Sequence, residues 1–329
     1  MKRLALLALA LVLTVGTTLW LEDRARRQRR HLGSLHALAP GAEADRVARL
    51  SFELEGRRWE YERREGAWRF PAYHDAYALG DRLDFLVGAL LKNRGTPIET
   101  DAAETRYGLE PAARLPLELA DADGRVLLRV WVGAGVTGAD DGEAYLRRPD
   151  DPQLYHWHAN PRSAIDAGRP PLIDRRVLPA ALRGGGMARI DWEGPGAAAR
   201  SLRRVHLAPD LSGGRPQGPG IAWVGAFAAG AEDTCRSENV YRYLRFVQEL
   251  RFNALLPTDT ERGRRLGLVA LTPDEGPPDT LEVSALPDGR ALVFNRASGL
   301  LNAVGARRAA LLFPTRRALL DSLPRPENR

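Results

Sequence analysis

Short runs in which apolar and polar side chains alternate, broken by glycine, constrain this chain most. Leu50, Phe52 and Leu54 alternate with polar residues, Gly56 turns the chain, and Trp59 and Tyr61 alternate again. Glu65-Gly66 makes a second turn before Trp68 and Phe70. A period of two puts one set of side chains on one face, and runs joined by tight turns form an antiparallel meander. The period then changes. Leu79, Leu83, Leu86, Val87, Leu90 and Leu91 fall on one stripe of an amphipathic helix, which Asn93, Gly95 and Pro97 end. After residues 107–111 a second hairpin is expected: Leu115, Leu117 and Leu119 lead into Asp123-Gly124, a pair suited to the positive φ angles of a tight turn, and residues 126–132 return. A third runs over 144–158 around Pro149-Asp150-Asp151-Pro152.

The pattern then restarts. A connector over 169–186 ends in Gly184-Gly185-Gly186, strand-like residues 189–192 and 201–207 precede Trp223, and a helix is expected over 237–252. Val240, Leu244, Val247 and Leu250 share a face of that helix, and Ser237 is suited to cap it. Gly267-Leu268, a strand over 281–283, an Asp288-Gly289 turn and a strand over 291–294 follow. Aligned in order, Trp68 matches Trp223, Asn93 matches Asn253, Pro97 matches Pro257, Gly108-Leu109 matches Gly267-Leu268, and Gly124 matches Gly289, the offset drifting from 155 to 165. The expectation is one α+β unit used twice, each copy an antiparallel meander with hairpins packed on one amphipathic helix. The boundaries follow: anchor and basic flank 1–30, linker 31–46 containing Ala39-Pro40-Gly41, first unit 47–183, glycine-rich linker 184–188, second unit 189–323, tail 324–329.

Residues 4–21 carry no charge and are mostly Leu, Ala and Val. As a helix these 18 residues rise about 27 Å, close to the ~30 Å of a bilayer core. Trp20 sits where interfacial aromatics are favoured, and charges begin at Glu22. A cleaved signal peptide would have a shorter apolar region and a small-x-small site; Gly16-Thr17-Thr18 is a poor one, so an uncleaved single-pass anchor is expected. Lys2 and Arg3 precede the segment and five Arg follow it, a distribution that by charge alone puts the body in the cytoplasm.

The net charge of +6 suggests a nucleic-acid partner until it is located. Lys2, Arg3, Arg24, Arg26, Arg27, Arg29 and Arg30, against Glu22 and Asp23, account for five of the six charges. The rest of the chain is nearly neutral, without the charge excess that displaces counterions from phosphates, and the basic flank suits lipid head groups instead. The single cysteine, Cys235, excludes an intramolecular disulfide and a Cys-based metal site.

The first half resembles bacterial domain-of-unknown-function family 4340. The meander ending in Trp68 and Pro71 carries the likeness, with the amphipathic helix, Tyr107-Gly108-Leu109 with Pro111, Gly133 closing a strand, Tyr145-Leu146-Arg147 and Tyr155. It covers roughly residues 47–180, with a weaker echo in the second half. The resemblance implies a membrane-anchored, extracytoplasmic α+β protein accompanying ABC-type export or gliding-motility systems. It implies no catalytic residue, and it favours a body outside the cytoplasm, against the charge count.

No residue is assigned a catalytic, cofactor-binding or metal-binding role. Gly133, Gly135 and Gly138 fit G-x-G-x-x-G, but Asp140-Asp141-Gly142 and another strand follow where a dinucleotide site needs a helix. His156 and His158 point to one face of an expected strand, two-thirds of a metal site with no third ligand identifiable, and Trp157 between them points inward. Asp140, Asp141, Glu143, Asp150 and Asp151 are loop acids without the alternation of a calcium loop. His74-Asp75 has no nucleophile placed to act with it. Trp59, Tyr61 and Trp68 fit the alternation of core residues, although with Trp131 and Trp157 they would suit a stacking platform. The expected function is that of a non-enzymatic cell-envelope accessory protein, single-pass in the inner membrane with a periplasmic body that docks a membrane complex. It needs no cofactor and binds no nucleic acid. The alternative is an extracytoplasmic module for an envelope polymer or solute, with an aromatic concavity between the repeats.

Overall fold

The computed structural model describes residues 35–98, 104–136, 142–183, 186–194, 199–206, 220–227 and 232–321, together with Thr17 and Trp20. The expected anchor over 4–21 therefore lies outside the described residues except at Thr17 and Trp20, both helical, the latter exposed. Among the described residues no helix is long and apolar enough to cross a membrane. The expected linker glycines 184 and 185 and the tail 324–329 also lie outside them.

The class is α+β, mostly antiparallel strand with few helices. The meander forms as its alternation dictates: β1 (Arg49–Leu54), β2 (Arg57–Arg64), β3 (Ala67–Phe70) and the short β4 (Ala76–Tyr77). Both tight turns have two left-handed residues, Glu55 and Gly56 at φ 54° and 70°, Glu65 and Gly66 at φ 50° and 77°. That is the turn geometry whose twist matches paired strands. Register pairs Leu50 with Tyr61 and Phe52 with Trp59, so the apolar side chains share a face. Tyr61 stacks on Phe52 at 5.8 Å and tilts against Phe70 at 5.2 Å.

Helix α1 (Gly80–Leu91) buries Leu83, Leu86, Val87 and Leu90, the stripe its period marks. It is pinned at two places. The Trp68 indole N–H of β3 donates to Asp84 at 2.9 Å, and the Trp157 indole N–H donates to the Ala89 carbonyl at 2.7 Å. The chain continues through β5 (Gly95–Ile98), β6 (Leu115–Ala120), β7 (Val126–Gly135), β8 (Ala144–Arg147) and β9 (Leu154–Trp157). The first sheet runs β4-β3-β2-β1-β6-β7-β8-β9-β5. Strands β4 and β5, consecutive in the chain, are thus its opposite edges, joined by α1. The β6–β7 turn departs from expectation: only Gly124 has positive φ, and the Asp121 carboxylate holds the loop by accepting from the Asp123 and Arg125 amides.

The second half comprises β10 (Met187–Glu193), β11 (Ala199–His206), β12 (Ile221–Phe227), β13 (Glu232–Cys235), α2 (Ser237–Gln248), β14 (Ala254–Leu256), β15 (Arg264–Pro273), β16 (Asp279–Ala285), β17 (Arg290–Asn295) and β18 (Leu300–Gly305), then the short helices α3 (Ala306–Ala310) and α4 (Arg316–Leu320). Its sheet runs β13-β12-β11-β10-β15-β16-β17-β18-β14. That is the first sheet's order with every strand number raised by nine, and again one helix of 12 residues joins the edge strands.

Two details of the sequence reading are corrected. Helix α2 stops at Gln248, because the Val177 amide donates to the Leu250 carbonyl and the Phe252 amide to the Arg175 carbonyl, drawing residues 250–252 into a bridge. Its N-cap is Arg236; Ser237 is the first helical residue and makes no cap. Two aligned pairs are not equivalent by strand order. Gly124 turns β6 into β7, whereas Gly289 turns β17 out of β16, one hairpin later, and Gly108 precedes β6 whereas Gly267 lies inside β15. Trp68 and Trp223 do fall on matching strands, β3 and β12. The chain clusters into two compact units that divide between Ile173 and Asp174, with residues 72–77 grouped in the second. The break thus comes before the glycines at 184–186.

Candidate functional site

Strands β8 and β9 are arms of one hairpin, paired Ala144 to Trp157 and Tyr145 to His156. Ala144 and Trp157 are fully buried, and the indole hydrogen bond to Ala89 fixes that side of β9 against α1. Side chains alternate along a strand, so His156 and His158 emerge on the opposite face. Glu143, immediately before β8 and one register step beyond the Ala144–Trp157 pair, emerges beside them.

The three side chains converge. His156 Nε2 lies 2.7 Å from Glu143 Oε2, and His158 Nδ1 lies 3.1 Å from Glu143 Oε1. One carboxylate thus brackets two imidazoles whose ring centres are 5.3 Å apart. Hydrogen bonds from His158 and then His156 hold the Glu143 carboxyl below the usual carboxylate range. One candidate ligand atom from each residue lies within 4.8 Å of the other two. The side chains are a third to two-fifths exposed, so the cluster opens to water. A small apolar cluster of Tyr107, Leu109 and Leu154, with Tyr145 against it, lies on the same side of β9. Tyr107 meets Tyr145 edge-on at 4.8 Å, and Tyr145 stands 6.1 Å from the His156 ring. This seating explains two sequence motifs. A Cβ on Gly133 would collide with the Tyr107 carbonyl oxygen, and one on Gly108 would come within 2.8 Å of the Ala134 amide nitrogen. Tyr107-Gly108-Leu109 therefore lies directly on the end of β7.

The other residues weighed in the sequence fall elsewhere. Gly133 and Gly135 end β7 as strand, and Gly138, Asp140 and Asp141 lie outside the described residues. His74 and Asp75 both have left-handed backbone, at φ 54° and 55°, in the turn before β4. Asp150 pairs with Arg148 at 2.6 Å, and Asp151 accepts from the Gln153 amide. Trp59, Tyr61, Trp68 and Trp157 are core, whereas Trp131 is half-buried beneath the guanidinium groups of Arg114 and Arg147, at 3.8 and 5.0 Å from its ring. Cys235 is buried, and burial pushes its thiol up.

Sequence reasoning found both histidines and missed that Glu143 completes the set. The signal was present: the hairpin read around Asp150-Asp151 makes residues equidistant from its centre face each other, and Glu143 and His158 are such a pair. Compared with protein-family models, curated proteins and solved structures, the chain matches none.

Proposed function

We propose that the chain is a non-enzymatic accessory protein of the bacterial cell envelope, tethered to the inner membrane by its N-terminal apolar segment and docking its body onto a membrane complex of the ABC-type export or gliding class. One observation carries the reading: a body that uses one nine-strand order twice, behind an apolar segment of bilayer length. The repeated order is read as duplication of one α+β unit. Two units of one topology suit a partner built of two like subunits.

The sheet faces fit this role better than the edges. The edge strands β4, β5, β13 and β14 have two to four residues each, too short to template strand addition. The faces carry compensated charge: Glu118 holds Arg129 at 2.5 Å and Arg58 at 3.3 Å, and Glu282 holds Arg296 at 2.5 Å and Arg262 at 3.0 Å. Burial alone would raise the Glu118 carboxyl, but the two arginines hold it below its ordinary range. The likeness to family 4340 favours a body outside the cytoplasm.

Full-length protein captured from detergent-solubilised membranes should bring a membrane complex with it; recovery of the chain alone sinks the docking role. A topology reporter fused at Arg329 should be active only in the oxidising compartment, and cytoplasmic activity would reverse the orientation. The alternative, a module for an envelope polymer, loses much of its expected aromatic platform to the core.

A further inference from the structure

We propose that Glu143, His156 and His158 form a binding site for one divalent transition cation of the zinc class, held by two imidazole nitrogens and one carboxylate oxygen. The cluster supplies the donor set such ions take: imidazole and carboxylate on three converging side chains. Magnesium and calcium prefer six or more oxygens, and this cluster offers one carboxylate. Distances are within reach. A tetrahedral ion with bonds of about 2.0–2.1 Å sets its ligand atoms roughly 3.3 Å apart. The present spread of up to 4.8 Å closes by small side-chain rotations, because all three groups are partly exposed rather than wedged in a core.

The backbone beneath them is fixed. Trp157 is locked between the two histidines by its burial and its bond to Ala89. A Cβ on Gly95 of β5 would fall 2.5 Å from the Trp157 ring, so β5 is packed tightly against it. The Glu143 carboxylate already turns one nitrogen of each imidazole toward a common point. An ion arriving there is met by the lone pair of each of these nitrogens, each neutral imidazole carrying its single proton on its other ring nitrogen and any further proton passing to solvent. Three protein ligands leave a fourth position for water or for a donor from a partner.

The test uses untagged, full-length protein in detergent, stripped of metal. Zinc titrated against a chromophoric chelator should bind at one equivalent per chain, and cobalt should give the intense visible d–d bands of a four-coordinate site. His156→Ala, His158→Ala and Glu143→Gln should each weaken zinc binding by at least about 10–100-fold, since loss of even an outer partner costs that much. His206→Ala, on β11 of the second unit, should change nothing. Melting curves without metal will show whether each variant is folded; if one is not, the wild-type stoichiometry and cobalt spectrum still decide. Absence of stoichiometric zinc binding, a weak six-coordinate cobalt spectrum, or zinc binding that survives in folded His158→Ala overturns the site.

Discussion

Asp279 opens β16 as a carboxyl group almost wholly removed from water. Burial raises its affinity for a proton, and hydrogen bonds from the Ala297 and Thr280 amides and the Asn295 side chain only partly offset this. An aspartate raised in the folded state binds more protons folded than unfolded. Its contribution is therefore most favourable below the ordinary aspartate range and declines as pH rises through that range toward the raised value. The melting temperature of the wild type minus that of Asp279→Asn should accordingly fall as pH rises through the ordinary aspartate range, about 3.9, and beyond it; a difference that rises with pH would contradict this. Such a residue is illegible in sequence, where it is one more acid before a strand. His156 and His158 were legible because alternation alone puts them on one face. Glu143 was legible only through the register of the hairpin centred on Asp150-Asp151, and a slip of one residue would send it to the other face.

Elements were legible where one period ran unbroken. β1 to β3, α1 and the hairpins from β6 to β9 all formed close to their expected places. β15, a strand of ten residues, is marked in the sequence only by Gly267-Leu268, because Leu266, Leu268 and Ala270 stand between Gly267, Val269 and Leu271 and leave no apolar–polar alternation. β18 reads Leu-Leu-Asn-Ala-Val-Gly, apolar on both faces, so no alternation marks it. Helices α3 and α4 have five residues each, too few for a period of 3.6 to show. Close approach between elements has its own cost. Gly133→Ala puts a methyl group against the Tyr107 carbonyl. It should destabilise the chain by about 1–3 kcal/mol, as overpacking does. Denaturant titration measures this, and an unchanged midpoint would mean that the seat of Tyr107 on β7 is loose.

At the scale of the whole chain, two compact units each bury their own core. Calorimetric unfolding should depart from one two-state transition, with a calorimetric enthalpy larger than the van't Hoff value; equality of the two would show a single cooperative body. Repetition was legible in order, helix against helix and Trp68 against Trp223, but not in register, because loops of unequal length shifted the glycines used to align the halves. The shared strand order also sets a schedule for synthesis. β5 leaves the ribosome with its final neighbour β9 still roughly 60 residues away, a wait of about 3–12 s at 5–20 residues per second. β14 waits likewise for β18, close to the end of the chain. In each half the last strand translated completes the sheet, and a nascent chain arrested before Leu300 would leave an open edge for chaperones to guard.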